Sequence, residues 1–475
     1  MSIMTSFVLK KALLIIPSLV ALSVIVFFLS KIAPGDQVQM FMAVRGSQTD
    51  RLSYHQQQKV YSEVYEELGL NKALFYISIK PAYFPDTLYK VIPASKKNVM
   101  KAWLRHDQDW EWIQLVFENH EALIGAADFF NDPELAFILT QIKTIHATAD
   151  LQKARQLAID LKNSTENNAV NVPHKTRELL SNYFINFLHD QKKTQRITSV
   201  FPTLHWHGLN NQYHQWLSKA IRLDFGISLT DGQPVSKKIS MAFIWTLSYV
   251  IFAYLLSLFL AISLGLYTAY HQNKWQDKLI STSGFVLYAV PLFWLGTLAI
   301  VFLTTDIYGK WLHIFPDIGV GSAYESMIWI EKLGEGLPHL ILPALLLGMH
   351  GAASAIRLVR NTAIVELKAD YIVTARAKGI SESRMVFRHL LPNTLLPITT
   401  ALIGGFPGAL AGSVVIEVIF NIPGMGRLLF DSIRQMDWPV VFAMVMLLGV
   451  FTFIIYLLGD ILYARINPKI KYQSA

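Results

Sequence analysis

Between Ile239 and Tyr270 the chain carries no Asp, Glu, Lys or Arg. An apolar run this long has few homes, because water rejects its side chains and lipid satisfies no open backbone group. A helix needs about 20 such residues to cross a hydrocarbon layer of ~30 Å. Five other segments meet or approach that length: Ala12–Ser30, Leu279–Thr305, Gly336–Ile356, a stretch within His389–Ile416, and Trp438–Gly459. Tyr270, Trp311, Trp438 and Tyr463 sit near their ends, where amphipathic rings favour the membrane interface. Charged residues make up 16% of the chain, against about 25% in soluble proteins. These features exclude a wholly soluble enzyme and a disordered chain. The expected architecture is an all-α integral membrane protein with six transmembrane helices.

The charges are unevenly placed. Of 42 Lys and Arg, 24 lie between Lys31 and Lys238, with 21 of the 34 acidic residues. If the N-terminus is cytoplasmic, the inside segments 1–11, 271–278, 357–388 and 465–475 hold 14 basic and 4 acidic residues. The short outside loops 304–337 and 417–437 then hold 4 basic and 8 acidic ones. That asymmetry is the positive-inside pattern, and it puts both termini in the cytoplasm and residues 31–238 outside it. The formal charge of +8 is thus a topology signal, and no nucleic acid partner is expected. Lys10-Lys11 before the first apolar segment resembles a signal peptide. The segment lacks a small-x-small cleavage site, so it is expected to stay as an anchor.

The outside region reads as a helical insert. Residues 59–70 are amphipathic, and Trp103, Trp110, Ile113 and Phe117 recur at near-helical spacing. Asp132-Pro133-Glu134 reads as a helix start, since proline and acids both suit a first turn. Runs 134–147, 150–162 and 175–189 continue the pattern, with a polar join at 163–171. His205, His207 and His214 form a further cluster, in which His205 and His207 would share a face only on a strand. Hydrogen-bonded histidines in an aromatic patch are the reading preferred over a metal site. With no cysteine, thiolate metal sites and disulfides are absent.

The most informative stretch is Glu366–Pro397. Leu367–Lys378 reads as a helix that Gly379 ends by supplying a left-handed or turn geometry. A second helix starts at Ser381-Glu382, so two short helices form a basic knob around a glycine corner. The knob is either a solvated topology signal or a docking element; its detailed arrangement favours docking. The glycines of 404–412 lie inside an apolar segment and read as helix-packing or bending positions rather than a phosphate loop. No GxxxxGK[ST] loop and no HExxH helix occurs. A membrane-embedded enzyme and a membrane protein acting through its outside domain remain the competing classes.

With these residues in view, the chain resembles the dipeptide/oligopeptide permeases of bacterial ABC importers, the first of their two transmembrane subunits. The matching pieces stand in family order: KKALLIIPSLVALSVIVFFLSKIAPG at 10–35, Leu68–Leu70, YHQWLSKAIRLDFGISLTDGQPV at 213–235, DYIVTARAKG at 370–379, RHLLPNTLLP at 388–397, EVIFNIPGMGRL at 417–428, Asp437-Trp438-Pro439 and DILYARINP at 460–468. The likeness covers about 1–70 and 212–471. Residues 71–211 interrupt it as an unusual extracytoplasmic insert. Thr374-Ala375-Arg376-Ala377 stands where a literal Glu-Ala-Ala would be.

The resemblance implies a type I ABC importer permease fold, with an anchor span at 1–35, an extracytoplasmic region at 36–238 and a five-span core at 239–471. It implies no catalysis and no bound cofactor in this chain, with ATP and Mg in two partner ATP-binding subunits. A second homologous permease, an extracytoplasmic substrate-binding protein, a peptide substrate and the bilayer complete the expected partners; nickel or another small solute is the alternative cargo. ATPase coupling is placed within 366–392, on Glu366, Asp370, Tyr371, Ala375, Arg376, Ala377, Lys378, Gly379 and Ile380. Ala375 and Ala377 are expected to admit the partner surface. The outside re-entrant loop is assigned Glu417, Pro423, Gly424, Gly426 and Arg427, with Glu417 and Arg427 pairing to neighbouring subunits or loops.

Overall fold

The computed structural model describes residues 3–45, 54–127, 133–167, 174–189, 201–320 and 329–466. The chain divides into two compact units, Pro34–Arg222 and the remainder, Met1–Ala33 with Leu223–Ala475. The second begins with helix α1 (Ile3–Ile32), whose Leu14, Val20 and Ile25 are exposed as a lipid-facing helix requires.

The unit Pro34–Arg222 holds α2 (Gln37–Val44), α3 (Tyr54–Glu67), β1 (Ile77–Pro81), α4 (Ala94–Asp107), α5 (Trp110–Ala127), α6 (Pro133–Ala147), α7 (Leu151–Asn167), α8 (His174–Leu188), β2 (Pro202–Trp206) and α9 (Gln212–Ile221). The residues at near-helical spacing from Trp103 to Phe117 fall on two helices, α4 and α5, because Gln108 takes a left-handed conformation (φ 54°) and turns the chain. Their apolar faces meet those of α6, α7 and α8 in a core centred on Trp103, Ile113, Ile142, Tyr183 and Phe187. Trp103 donates its indole N–H to the Thr148 carbonyl at 3.0 Å, and Trp112 donates to Asn186 at 2.8 Å. Each buried ring therefore keeps a partner for its one polar atom.

The insert is not helical throughout. β1 and β2 pair antiparallel, with Ile77 opposite Trp206 and Ile79 opposite Leu204. This is the strand on which His205 lies. Its Nδ1 meets Asp86 Oδ2 at 2.8 Å, while His207 Nε2 meets Ser78 Oγ at 2.8 Å and His214 Nδ1 meets the Tyr76 hydroxyl at 3.0 Å. The three rings are spent on separate partners, and among the described residues no group of three His, Cys, Asp or Glu could hold a metal.

From Leu223 onward come α10 (Val235–Tyr270), α11 (Trp275–Ala289), α12 (Leu292–Leu303), α13 (Trp329–Glu366), α14 (Asp370–Ala377), α15 (Glu382–Met385), α16 (Leu391–Ile419), α17 (Met425–Arg434) and α18 (Trp438–Ile466). Leu13–Ile32, Val235–Tyr270, Glu335–Glu366 and Trp438–Ile461 are each long and apolar enough to cross a membrane. The third predicted segment is broken: α11 and α12 meet at 97°. Val290 is extended (φ −79°, ψ 127°) because the proline after it disfavours the helical region, and Pro291 then opens α12. The fifth segment is one helix from Leu391 to Ile419.

α10 and α13 form the principal helix pair. Ala253, Ser257, Ala261, Gly265 and Ala269 recur every fourth residue and are buried along one stripe of α10. Gly348 and Gly351 of α13 face it: a Cβ at 348 would stand 2.8 Å from the Ala253 carbonyl oxygen, and one at 351 would stand 3.2 Å from Ser257 Oγ. Small side chains let the two backbones approach, which is how helices associate where no hydrophobic effect separates them from lipid.

Candidate functional site

Two places gather the predicted residues, one at each end of α16. At 1.5 Å per residue that helix separates them by about 40 Å.

The first is the Glu366–Leu391 turn. α13 ends at Glu366 and α14 begins at Asp370, three residues later than Leu367, where the sequence places it. Ile372 and Ala375 point inward with Met385 and Leu390. They join Ala261, Leu266 and Ala269 of α10, Val359 and Ala363 of α13, and Ile398 of α16. Tyr371, Val373, Arg376, Ala377 and Lys378 are left outward. Ala375 is therefore not a surface position. At 5% exposure its small side chain admits this chain's own helices, whereas Ala377 does lie at the surface.

Gly379 closes α14 with φ 71°. Its N–H donates to the Arg376 carbonyl at 2.9 Å, and the Ile380 N–H donates to Ala375 at 3.3 Å. This pair of bonds is the Schellman closure, in which a left-handed residue satisfies the last carbonyls of a helix. α15 is not a free-standing helix. It passes through a single π turn, Val386–Leu390, directly into α16. The Tyr371 hydroxyl donates to the Glu366 carboxylate. Burial first, and that carboxylate next, hold the phenol up at about 12.

Behind this turn Arg360 of α13 makes a two-pronged bond to Asp277 of α11, at 2.6 and 2.7 Å. The Asn273 N–H adds a bond to the same carboxylate at 2.9 Å. The pair ties the 271–274 turn to α13.

The second place is the turn between α16 and α17. Glu417 is fully buried, and its carboxylate accepts the Thr246 hydroxyl at 2.7 Å, the Tyr249 hydroxyl at 2.9 Å and the Arg427 N–H at 2.9 Å. Thr246 in turn accepts the Met425 N–H at 2.8 Å. Pro423 is the centre of a three-residue turn closed by the Gly424 N–H on the Ile422 carbonyl at 2.8 Å. A Cβ at Gly424 would collide with the Glu417 carboxylate, and one at Gly426 would stand 2.5 Å from Val414 Cα. Of the expected pairing of Glu417 and Arg427 with neighbouring subunits or loops, the contacts present are those within the chain. Glu417 is satisfied by α10 and by backbone. The Arg427 guanidinium reaches Asp431 at 3.5 Å and the Asn421 carbonyl at 3.1 Å, both within its own chain.

Beside this turn Asp437, also fully buried, accepts bonds from Ser228 at 2.5 Å, the Leu229 N–H at 2.9 Å and Thr230 at 3.2 Å. Lys238 stands 3.8 Å from it. Sequence reasoning missed the roles of Asp437 and its donors Ser228 and Thr230, together with Thr246, Tyr249, Asp277 and Arg360.

Gly404 and Gly405, expected at helix-packing or bending positions, are exposed on α16. Among the described residues, a Cβ at either would meet nothing within 4 Å.

Residues 261–472 match the family described as "Binding-protein-dependent transport system inner membrane component". The glutathione transport system permease protein GsiC of Escherichia coli K12 is 36% identical over 265 residues, 56% of this chain and 80% of that protein. The oligopeptide transport system permease protein AppB of Bacillus subtilis is 36% identical over 271 residues, 56% of this chain and 83% of that one. Among solved structures, a chain of the MetNI methionine ABC transporter in an inward-facing form is similar at a TM-score of 0.38 and 16% identity. It covers 48% of this chain and 96% of that one, a likeness too slight to carry an inference. The extent of GsiC and AppB that is matched, and the helical core that carries the match, make this chain a member of the binding-protein-dependent transport system inner membrane component family, a multi-pass permease subunit of a transporter.

Proposed function

We propose that the chain forms one half of the translocation pathway of an ATP-driven importer of peptides, working by alternating access. The observation that carries this reading is the build of the 370–380 element. Its inner face is fixed to α10, α13 and α16, while Tyr371, Val373, Arg376, Ala377 and Lys378 face outward. An element rooted in three long helices passes on a push as rigid motion instead of absorbing it. Two ATP-binding subunits, holding ATP and Mg, would supply that push. This chain would bind no cofactor and catalyse no reaction.

A second homologous permease would complete the pathway. Gly404 and Gly405 support this, since their open face on α16 has room for a closely approaching helix. An extracytoplasmic binding protein would deliver the cargo; relatives named for glutathione and oligopeptide transport favour peptides. The positive-inside pattern supports cytoplasmic termini and an outside location for 31–238.

The test is purification of the tagged chain from its native membrane with a photo-crosslinking residue at Val373. Covalent capture of an ATPase, together with recovery of a second permease at comparable amounts, is the expected result. A chain recovered alone, with no ATPase crosslinked from position 373, would overturn the reading.

A further inference from the structure

The unit Pro34–Arg222 lies outside the residues the family pattern covers, and it contains a cleft of about 700 Å³ between α3, the 92–93 turn, α4, α5 and α6. That volume is within the range of small-molecule sites. Its lining has two parts. Lys59, Lys96 and Lys143 bring three ammonium groups against one carboxylate, Glu121, which is already paired with Lys96 at 2.5 Å. Val99 and Phe117 are apolar and almost wholly buried.

Two histidines complete the lining. His120 and His146 stack with ring centres 4.0 Å apart and planes 6° from parallel. His146 is 5% exposed. Its Nε2 meets the Tyr183 hydroxyl at 3.1 Å, but its Nδ1 has no hydrogen-bond partner. Nε2 of His120 is likewise without one. Buried polar atoms in proteins are nearly always paired, and leaving one open costs about 1–3 kcal/mol. Parallel stacked rings do not converge their nitrogens on a common point, which argues against a metal between them.

We propose that this cleft binds a small organic carboxylate with an apolar body. The lysines attract the carboxylate, and Phe117 with Val99 lines the part that receives the apolar body. The electrostatics agree with an anion site. Burial first, and then the Lys96 and Lys143 charges, hold His120 down at about 4. The carboxylate could belong to a free organic acid or to the C-terminus of a short peptide. This inference is independent of the transport reading.

The test uses the full chain in lipid nanodiscs, with 3-phenylpropanoate, 3-phenylpropanamide, Ala-Phe and Ala-Phe amide as probes. Binding is followed by calorimetry and by the ring signals of ¹³C-labelled histidine. Saturable binding of at least one acid is expected below about 1 mM, with its amide about tenfold weaker or more. The acid should raise the titration midpoint of His120. Lys59→Gln with Lys143→Gln, both on exposed side chains, should weaken the acid about tenfold and leave the amide unchanged. Ala147→Trp, also at an exposed position, should block the cleft. Binding of Ala-Phe in preference to its amide assigns the site to peptide C-termini; binding of 3-phenylpropanoate alone assigns it to free acids. No saturable binding, equal affinity for acid and amide, or an affinity unmoved by the lysine pair would overturn the proposal.

Discussion

Ser228 donates its hydroxyl to Asp437 at 2.5 Å across 209 residues of sequence, joining the Asp-Phe-Gly-x-Ser stretch to the Asp-Trp-Pro stretch. Two short motifs that look unrelated in the chain are one hydrogen-bonded unit. Asp437→Ala would strand the Ser228 and Thr230 hydroxyls and the Leu229 N–H around an empty acceptor. The expected loss is about 2–3 kcal/mol. Ser228→Ala should cost about 1 kcal/mol. Thermal unfolding of the detergent-solubilised chain, followed by size-exclusion chromatography, should rank the two in that order.

The Asp277–Arg360 pair makes a sharper prediction, because both of its prongs are short and Asp277 is 3% exposed. Removing one partner leaves the other uncompensated, at about 3 kcal/mol or more. Removing both should cost less than the two single changes added together. A double-mutant cycle on Asp277→Asn and Arg360→Gln, read by the same unfolding midpoint, should show that coupling. Arg360→Lys should behave nearly like Arg360→Gln, since an ammonium cannot reproduce the planar fork.

Gly424 owes its identity to space and not to backbone conformation, for its φ is −92°. Its missing Cβ is what lets the Glu417 carboxylate sit below the turn. Gly424→Ala should therefore displace Glu417 from Thr246 and Tyr249 and open the α16–α17 turn. Protease accessibility of residues 420–436 should rise. Glu417→Gln keeps one acceptor oxygen, loses the bond from the Arg427 N–H, and should lower the midpoint by a smaller amount, about 1–2 kcal/mol.

Acid should loosen the insert before it loosens the membrane core. Burial, followed by the Lys96 and Lys143 charges, holds His120 at about 4 against an ordinary 6.5, and burial holds His146 well below that value too. The groups facing this pair are Lys96, Glu121, Lys143 and the Tyr183 hydroxyl. Between about 4 and 6.5 the unfolded chain binds more protons than the folded one, so stability rises with pH across that window. The contribution is complete above about 6.5 and is lost on acidification, to the order of 3 kcal/mol. Hydrogen exchange corrected for its intrinsic pH dependence should show α5 and α6 losing protection at pH 5 relative to pH 7. His120→Gln should flatten that slope.

How much of this was legible follows from distance along the chain. The helices of the insert announce themselves through local periodicity, and Gly379 marks the end of α14 because a left-handed cap has a local residue signature. Pro291 was equally visible, yet its consequence, a 97° break in a single apolar run, depends on where α12 packs. The β1–β2 ribbon was not readable, since neither five-residue strand has a purpose until the other arrives from over 100 residues away. The direction of Ala375 was misjudged for a related reason. A small residue on a short helix admits a neighbour, but only the packing against Val359 and Met385 says that the neighbour is this chain. Glu417, Asp437 and Asp277 were seen as charges or motif letters, while their hydroxyl, amide and guanidinium partners lie 83 residues or more away, apart from the Arg427, Asn273 and Ser281 contacts.

Under the proposed coupling role of the 370–380 element, Gly379 is the position that separates coupling from folding most cleanly. Its φ of 71° is costly for a side chain, by roughly 1–2 kcal/mol and more for a β-branched one, while a Cβ there would meet nothing within 4 Å. Space is thus no obstacle, and the penalty is purely one of backbone conformation. Gly379→Val should shift the angle between α14 and α15 without disturbing Ile372, Ala375 or Met385 enough to prevent insertion. Gly379→Asn, which tolerates the left-handed region, should stay near the parent. In reconstituted complexes the valine variant should keep ATP hydrolysis and lose peptide uptake by about tenfold or more, with membrane levels unchanged. A valine variant that fails to insert would instead make Gly379 a folding residue, and a valine variant with full uptake would remove the corner from the coupling path.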